Sequence, residues 1–160
     1  MAEVRVADVV GPSGETTRRG YAVLLREVGG DRVLPIWVGE FEATAIALHL
    51  AGAELPRPLT YVFAANPLAA GGARMREVAI LWLVDSTFYA EAAVDGPAGS
   101  VSVDARPSDA INLALVANAP IRVAADILAA NALTDEEARA GSFDGGAEAI
   151  ASAATAQWAR

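Results

Sequence analysis

Two nine-residue stretches decide how this chain is read: Ala45-Ile46-Ala47-Leu48-His49-Leu50-Ala51-Gly52-Ala53 and Ala110-Ile111-Asn112-Leu113-Ala114-Leu115-Val116-Ala117-Asn118. They align without a gap at an offset of 65 residues. At the same offset Val62 to Leu68 falls on Ile127 to Leu133, and Ile36-Trp37-Val38 falls on Val101-Ser102-Val103. Alanine-rich helices resemble one another cheaply, so one match carries little weight. A constant register across three separate elements is the signature of an internal repeat. The first strands also correspond, Glu3-Val4-Arg5-Val6 with Glu77-Val78-Ala79-Ile80, if the loop from Val10 to Gly20 is an insertion.

Working outward, each half reads in the same order. Val4 to Val10, Tyr21 to Glu27 and Arg32 to Val38 are β-rich runs separated by Gly and Pro turn signals. Glu40 to Ala51 has helical spacing, with Phe41, Ala45, Leu48 and Gly52 on one side. Leu59 to Ala65 predicts a short helix that stops near Asn66-Pro67. The second half predicts strands over Glu77 to Val84, Thr87 to Val94 and Ser100 to Ala105. Helices follow over Ser108 to Ala117 and Ala124 to Asn131. The outcome is an α+β fold built from a duplicated β3-α2 unit with pseudo-twofold symmetry, halves about 1–70 and 74–140. Thr134-Asp135-Glu136-Glu137 reads as a capping box opening one more short helix. From Gly141 to Arg160 the composition predicts a flexible or partner-dependent tail outside the 1–140 domain.

Composition narrows the function classes. The chain has 160 residues, 54% hydrophobic, with a net charge of -8, which suits one folded domain or two small halves. All 12 basic residues are Arg, and the acidic balance opposes a protein that coats nucleic acid non-specifically. The absence of Cys excludes a disulfide frame, a thiolate nucleophile and Cys-ligated zinc. The N-terminus lacks a basic-then-apolar leader, and no apolar run approaches a bilayer span, so a cytoplasmic chain with no membrane contact is expected.

Chemistry-bearing candidates are few. His49 is the one histidine, which excludes a mechanism needing two, and it sits amid apolar helix neighbours. Asp104, Arg106, Ser108 and Asp109 place two carboxylates, a guanidinium and a hydroxyl within six residues at a strand-to-helix junction. One reading is helix-start chemistry, with Pro107 in the first turn and Ser108 and Asp109 capping free N–H groups. The other is a site: Asp104 and Asp109 hold a divalent metal, and Arg106 clamps phosphate. Gly39-Glu40-Phe41-Glu42 is the equivalent junction of the first half. Arg57 with Thr60, Arg18-Arg19 and Arg74-Met75-Arg76 are the remaining material for a basic patch. No Walker loop, dinucleotide fingerprint, nucleophile elbow or zinc spacing is present.

The residues resemble the bifunctional nuclease family in a series of ordered blocks. These are Leu34-Pro35-Ile36-Trp37-Val38-Gly39 with Glu42-Ala43 and Ile46, Arg57-Pro58-Leu59-Thr60, and Thr87-Phe88-Tyr89-Ala90. Asp104-Ala105-Arg106-Pro107-Ser108-Asp109-Ala110-Ile111 and Pro120-Ile121 complete them. The resemblance implies a duplicated α+β fold around a curved, barrel-like mixed sheet, assembly as a homo-oligomer (a dimer first), and nuclease activity on DNA or RNA. A phosphodiesterase reading of these residues gives catalytic roles to Asp109, Asp104, Arg106 and Ser108, substrate contacts to Arg57, Thr60 and Glu42, and expects a divalent cation, Mg or Mn. One departure stands out. After Arg-Pro-Leu-Thr the family pattern reads His-Asp-Leu, where this chain has Tyr61-Val62-Phe63. That removes the imidazole and the carboxylate best suited to proton transfer. The alternative expectation is therefore a non-catalytic homo-oligomeric scaffold or ligand-binding module.

Overall fold

A computed structural model describes residues 1–12, 20–140 and 146–158. The chain is α+β. The first part carries β1 (Ala2–Val10), β2 (Tyr21–Glu27), β3 (Arg32–Val38), α1 (Glu40–Leu50) and α2 (Thr60–Ala70). Next come β4 (Arg74–Val84), β5 (Thr87–Gly96), β6 (Gly99–Ala105), α3 (Pro107–Ala117), β7 (Ile121–Val123) and α4 (Ala125–Asn131). The last elements are β8 (Leu133–Thr134), α5 (Asp135–Ala140) and α6 (Ala147–Trp158). Strand pairing runs β6-β5-β4-β7-β1-β2-β3-β8, mixed because β7 lies parallel to β4 and antiparallel to β1. The order has two ends, β6 and β8, so the sheet is open; the barrel-like closure expected from the resemblance does not occur.

Two compact units divide the chain differently from its sequential halves. One comprises Met1–Arg5 with Leu55–Asn131, the other Val6–Glu54 with Ala132–Arg160. The cause is visible in the packing: α2 lies against α3, and the first residues of β1 pair with β7.

In the unit containing residues 55–131, β4 and β5 form a hairpin joined by Asp85 and Ser86, with Val84 opposite Thr87. Both turn residues have positive φ, 48° and 61°, the mirror-image turn that matches the twist of the flanking strands. β7 was not expected; Asn118-Ala119-Pro120 reads as a break, but three β-branched or long residues suffice to fill the gap between β4 and β1. Val78, Ile80, Ala90, Ile111, Val123 and Leu128 are buried, forming this unit's core. α2 overruns its expected stop and passes through Pro67, whose missing N–H costs one helical bond. It ends instead at Gly72, φ +73°, where the N–H of Ala73 donates to Leu68 O at 2.8 Å. None of the eleven residues of this largely apolar helix is buried.

In the other unit, β2 and β3 begin and end where the sequence predicts. Both faces of β3 carry buried residues, Val33, Leu34 and Ile36, which is why it reads as an unbroken apolar run. Pro35 is tolerated there because β8 pairs only with Arg32 and Val33 and needs no N–H from position 35. α1 buries Ala43, Ile46 and Ala47, the i, i+3, i+4 stripe, together with Leu48 from the expected side, whereas Phe41, expected beside Leu48, is 86% exposed. The capping box is present: Glu137 accepts the Thr134 N–H at 2.8 Å, and the Glu137 N–H donates to the Thr134 hydroxyl at 3.2 Å. Residues 147–158, expected in a flexible or partner-dependent tail, form α6 and lie against α1. The α6 start is held from β1, where Asp8 Oδ1 accepts the Ala147 N–H at 2.9 Å. Residues 141–145 lie outside the described residues, as do Arg18 and Arg19.

Candidate functional site

The sequence motif Asp104-Ala105-Arg106-Pro107-Ser108-Asp109 straddles the end of β6 and the start of α3. Arg106 is the residue before the helix, in an extended conformation, and Pro107 occupies the first turn, where its fixed φ suits a helix and its missing N–H costs nothing. Neither Ser108 nor Asp109 caps the helix; the N–H groups of Asp109 and Ala110 donate to Arg106 O at 3.1 and 3.0 Å. This replaces the capping role expected from spacing. The Asp109 carboxylate is instead gripped by its neighbour. Arg106 Nε donates to Oδ2 at 2.7 Å and a terminal nitrogen donates to Oδ1 at 3.0 Å, a two-pronged pair.

A third group completes the cluster from a distant part of the sequence. The Tyr61 hydroxyl, in the first turn of α2, donates to Asp109 Oδ1 at 2.8 Å. Both elements belong to the same unit, and α2 packs on α3, so this bond lies at a packed helix pair. Burial alone would raise the Asp109 pKa, and it is the largest single influence. The hydrogen bonds from Arg106 and Tyr61 with the nearby guanidinium charge together outweigh it, holding the carboxyl below its ordinary value. Asp109 therefore carries its charge at neutral pH and is a weak base.

The other expected site residues are distributed less favourably. Asp104 is exposed on β6 opposite Glu91 and takes no part in the Asp109 bonds. Ser108 is 7% exposed, and its carbonyl accepts the Asn112 side-chain N–H at 2.9 Å. Arg57 is exposed in the stretch before α2, and Thr60 is the first residue of α2, which Leu59 precedes as the cap position. Glu42 belongs to the other unit, where its carboxylate folds back over Gly39 so closely that a Cβ there would meet it at 2.3 Å. His49 is exposed in the last turn of α1. Arg74 and Arg76 lie 3.3 and 3.7 Å from Asp95, which neutralises that part of the expected basic patch.

The donor set does not suit a metal ion. Asp109 commits both oxygens to Arg106 and Tyr61, and among the described residues no group of three His, Cys, Asp or Glu side chains is placed to hold a cation. No chemical step is derived through one. Among the described residues no helix is long and apolar enough to cross a membrane. Tyr61 is the member of the cluster that residue chemistry alone did not select. The signal lay in its position, immediately after Arg57-Pro58-Leu59-Thr60, where the family pattern places histidine.

The site is thus an Arg–Asp–Tyr cluster at a strand-to-helix junction of an α+β fold. The chain belongs to the bifunctional nuclease domain family, whose model matches residues 23–136. It is 44% identical over 143 residues to an uncharacterised protein of Mycobacterium tuberculosis, covering 86% of this chain and 84% of that one. It is 32% identical over 107 residues to bifunctional nuclease 1 of Oryza sativa subsp. indica, covering 64% of this chain and 32% of the rice protein. Bifunctional nuclease 2 of Arabidopsis thaliana is 32% identical over 104 residues, covering 63% of this chain and 32% of its own length.

Proposed function

We propose that this protein is a phosphodiester-binding member of the nuclease family whose hydrolysis of DNA or RNA is weak, because the base of the site has been replaced. The observation that carries the reading is the bond from Tyr61, at the family's histidine position, to Asp109. In hydrolysis a water oxygen bonds to phosphorus as the P–O bond to the leaving oxygen breaks. A proton must leave the water and one must reach the leaving group. An imidazole at position 61, oriented by Asp109, suits the first transfer. A phenol, with an ordinary pKa near 10, does not at neutral pH. Arg106, 66% exposed, suits a phosphate oxygen, and Arg57 and Thr60, just before and at the start of the helix that carries Tyr61, are the further proposed substrate contacts. Asp104, Ser108 and Glu42 have less support for their proposed roles, since one is exposed away from the Asp109 bonds, one is buried and one lies in the other unit.

The second reading, a non-catalytic scaffold or ligand-binding module, is favoured by Asp109 spending both oxygens within the protein and by the net charge of -8. Both readings include self-association as a homo-oligomer, with a dimer first. The repeat at an offset of 65 belongs here too, as a proposed origin by duplication of a β3-α2 unit. Purified protein assayed on single- and double-stranded DNA and RNA, with Mg²⁺ or Mn²⁺ and then with chelator, separates the readings. Slow cleavage that disappears in Asp109→Ala supports the first. Cleavage unchanged in Asp109→Ala rejects the site, and no cleavage under any condition leaves the second reading.

A further inference from the structure

Sheet ends are where strands pair with other chains, and native proteins blunt them with shortness, basic residues, proline or bulges. The two ends here are treated differently. β8 has two residues, and the stretch of β3 that runs on beyond it carries Pro35. β6 has seven, Gly99-Ser100-Val101-Ser102-Val103-Asp104-Ala105, with no Lys, Arg or Pro. It pairs with β5 without a register shift from Ala90↔Ala105 to Gly96↔Gly99. Its first six residues are all exposed, Val101 at 58% and Val103 at 48%. These valines stand opposite Val94 and Ala92, on the sheet face where Ala92 and Ala90 are buried, so they lie on the core side of the sheet yet remain about half exposed among the described residues.

The geometry points to a second copy of this chain as the occupant of this edge, through antiparallel pairing of β6 with β6 about a twofold axis at Ser102. This rests on the homo-oligomer reading above and assigns it a surface. Gly96 faces Gly99 across a two-residue turn, which must be a hydrogen-bonded pair. Alternation then sends the N–H and C=O groups of Ser100, Ser102 and Asp104 outward, away from β5. A twofold at Ser102 sets those same residues against one another: Ser102 faces its own copy, and Ser100 faces Asp104 of the copy. The single charged residue of the strand thereby faces Ser100 of the copy, whose hydroxyl donates to Asp95 Oδ1 at 2.7 Å, rather than a second Asp104. A twofold at Asp104 would instead oppose two carboxylates, which is destabilising. On the other face Val101 meets the copy's Val103 and the reverse, covering both exposed valines. The edge is thus complementary to itself in backbone hydrogen bonding and apolar surface, the property an isologous interface requires.

The test uses the complete chain. Light scattering at micromolar concentration is expected to give twice the monomer mass of 16.5 kDa. The variant Val101→Lys/Val103→Lys is expected to fall to the monomer mass with its circular dichroism spectrum unchanged, because both side chains are exposed in the monomer. Since the chain has no Cys, Ser102→Cys gives one thiol per copy. A short bis-maleimide is expected to cross-link it to double mass, while Ser100→Cys, whose copies lie about 13 Å apart along the strands, is not. A wild-type monomer overturns the homo-oligomer reading itself. A wild-type dimer that survives the double Lys change, with Ser102→Cys left uncross-linked, keeps that reading and overturns the β6 interface. A concentration-dependent ladder above the dimer overturns the closed twofold pairing.

Discussion

Replacing Tyr61 by Phe removes one hydroxyl and leaves the ring of α2 in place. The lost bond, 2.8 Å to Asp109 Oδ1, has an ionised acceptor, a type that contributes about 1.5–3 kcal/mol when water cannot substitute. Water can partly substitute here, since the Asp109 side chain is 30% exposed and Arg106 remains bonded. The expected cost is therefore about 1 kcal/mol, or a fall in Tm of about 2–4 °C for a chain of this length. The dependence on pH follows from the depressed carboxyl. A group with folded pKa below its unfolded value of about 3.9 contributes stability that is fully present above that value. The contribution is lost as pH falls through the folded pKa. Thermal unfolding followed by circular dichroism should show the difference between wild type and Tyr61→Phe at pH 7, and a smaller difference near pH 3. In an Asp109→Ala background the Tyr61→Phe change should add almost nothing, since the acceptor is already gone. Equal melting of the two proteins at pH 7, or an undiminished cost of Tyr61→Phe without Asp109, would refute the argument that this bond pins α2 to α3.

Other outcomes follow from local geometry. Ser86 sits at φ 61° in the two-residue β4–β5 turn, so Ser86→Gly should relieve left-handed strain and raise stability by about 0.5–1 kcal/mol; an unchanged or lower Tm contradicts this. Asp8→Ala removes the carboxylate that accepts the Ala147 N–H, and should cost about 1 kcal/mol while raising amide exchange selectively over α6. Uniform exchange across β1 and α6 alike would count against that anchoring role. Glu137→Ala dismantles the capping box at Thr134, with an expected loss of about 0.5–1 kcal/mol and faster exchange over α5.

The legible part of this fold is the part governed by local chemistry. β2 and β3 were bounded to the residue because Gly29-Gly30 and Gly39 punctuate apolar runs, and Thr134 to Glu137 declared its own cap. What failed depends on neighbours distant in sequence. β7 is three residues long and exists because β4 and β1 leave a slot beside each other. α6 looked like a frayed tail because its alanines carry little periodic signal, and its order comes from α1 and Asp8. In α1 the expected Leu48 and Ile46 are buried, but Ala43 and Ala47, small and ambiguous in sequence, complete the inner face in place of Phe41. For the site, spacing placed Arg106 and Asp109 in one short segment, but as a phosphate clamp and a metal ligand or cap rather than as the ion pair they form. Tyr61 is 48 residues away from Asp109, and no local pattern joins them.

The central claim is that Asp109 and Arg106 retain a phosphodiester site from which position 61 has lost its base. Restoring the family's residues in this chain, Tyr61→His with Val62→Asp, tests it most directly, since Val62 is exposed at 38% and accepts a polar side chain. DNA and RNA cleavage by the double variant should exceed that of the wild type by about a hundredfold, the lower range for a positioned general base, and should vanish when Asp109→Ala is added. A folded double variant that cleaves no faster than wild type, or one whose gain survives the loss of Asp109, contradicts the account.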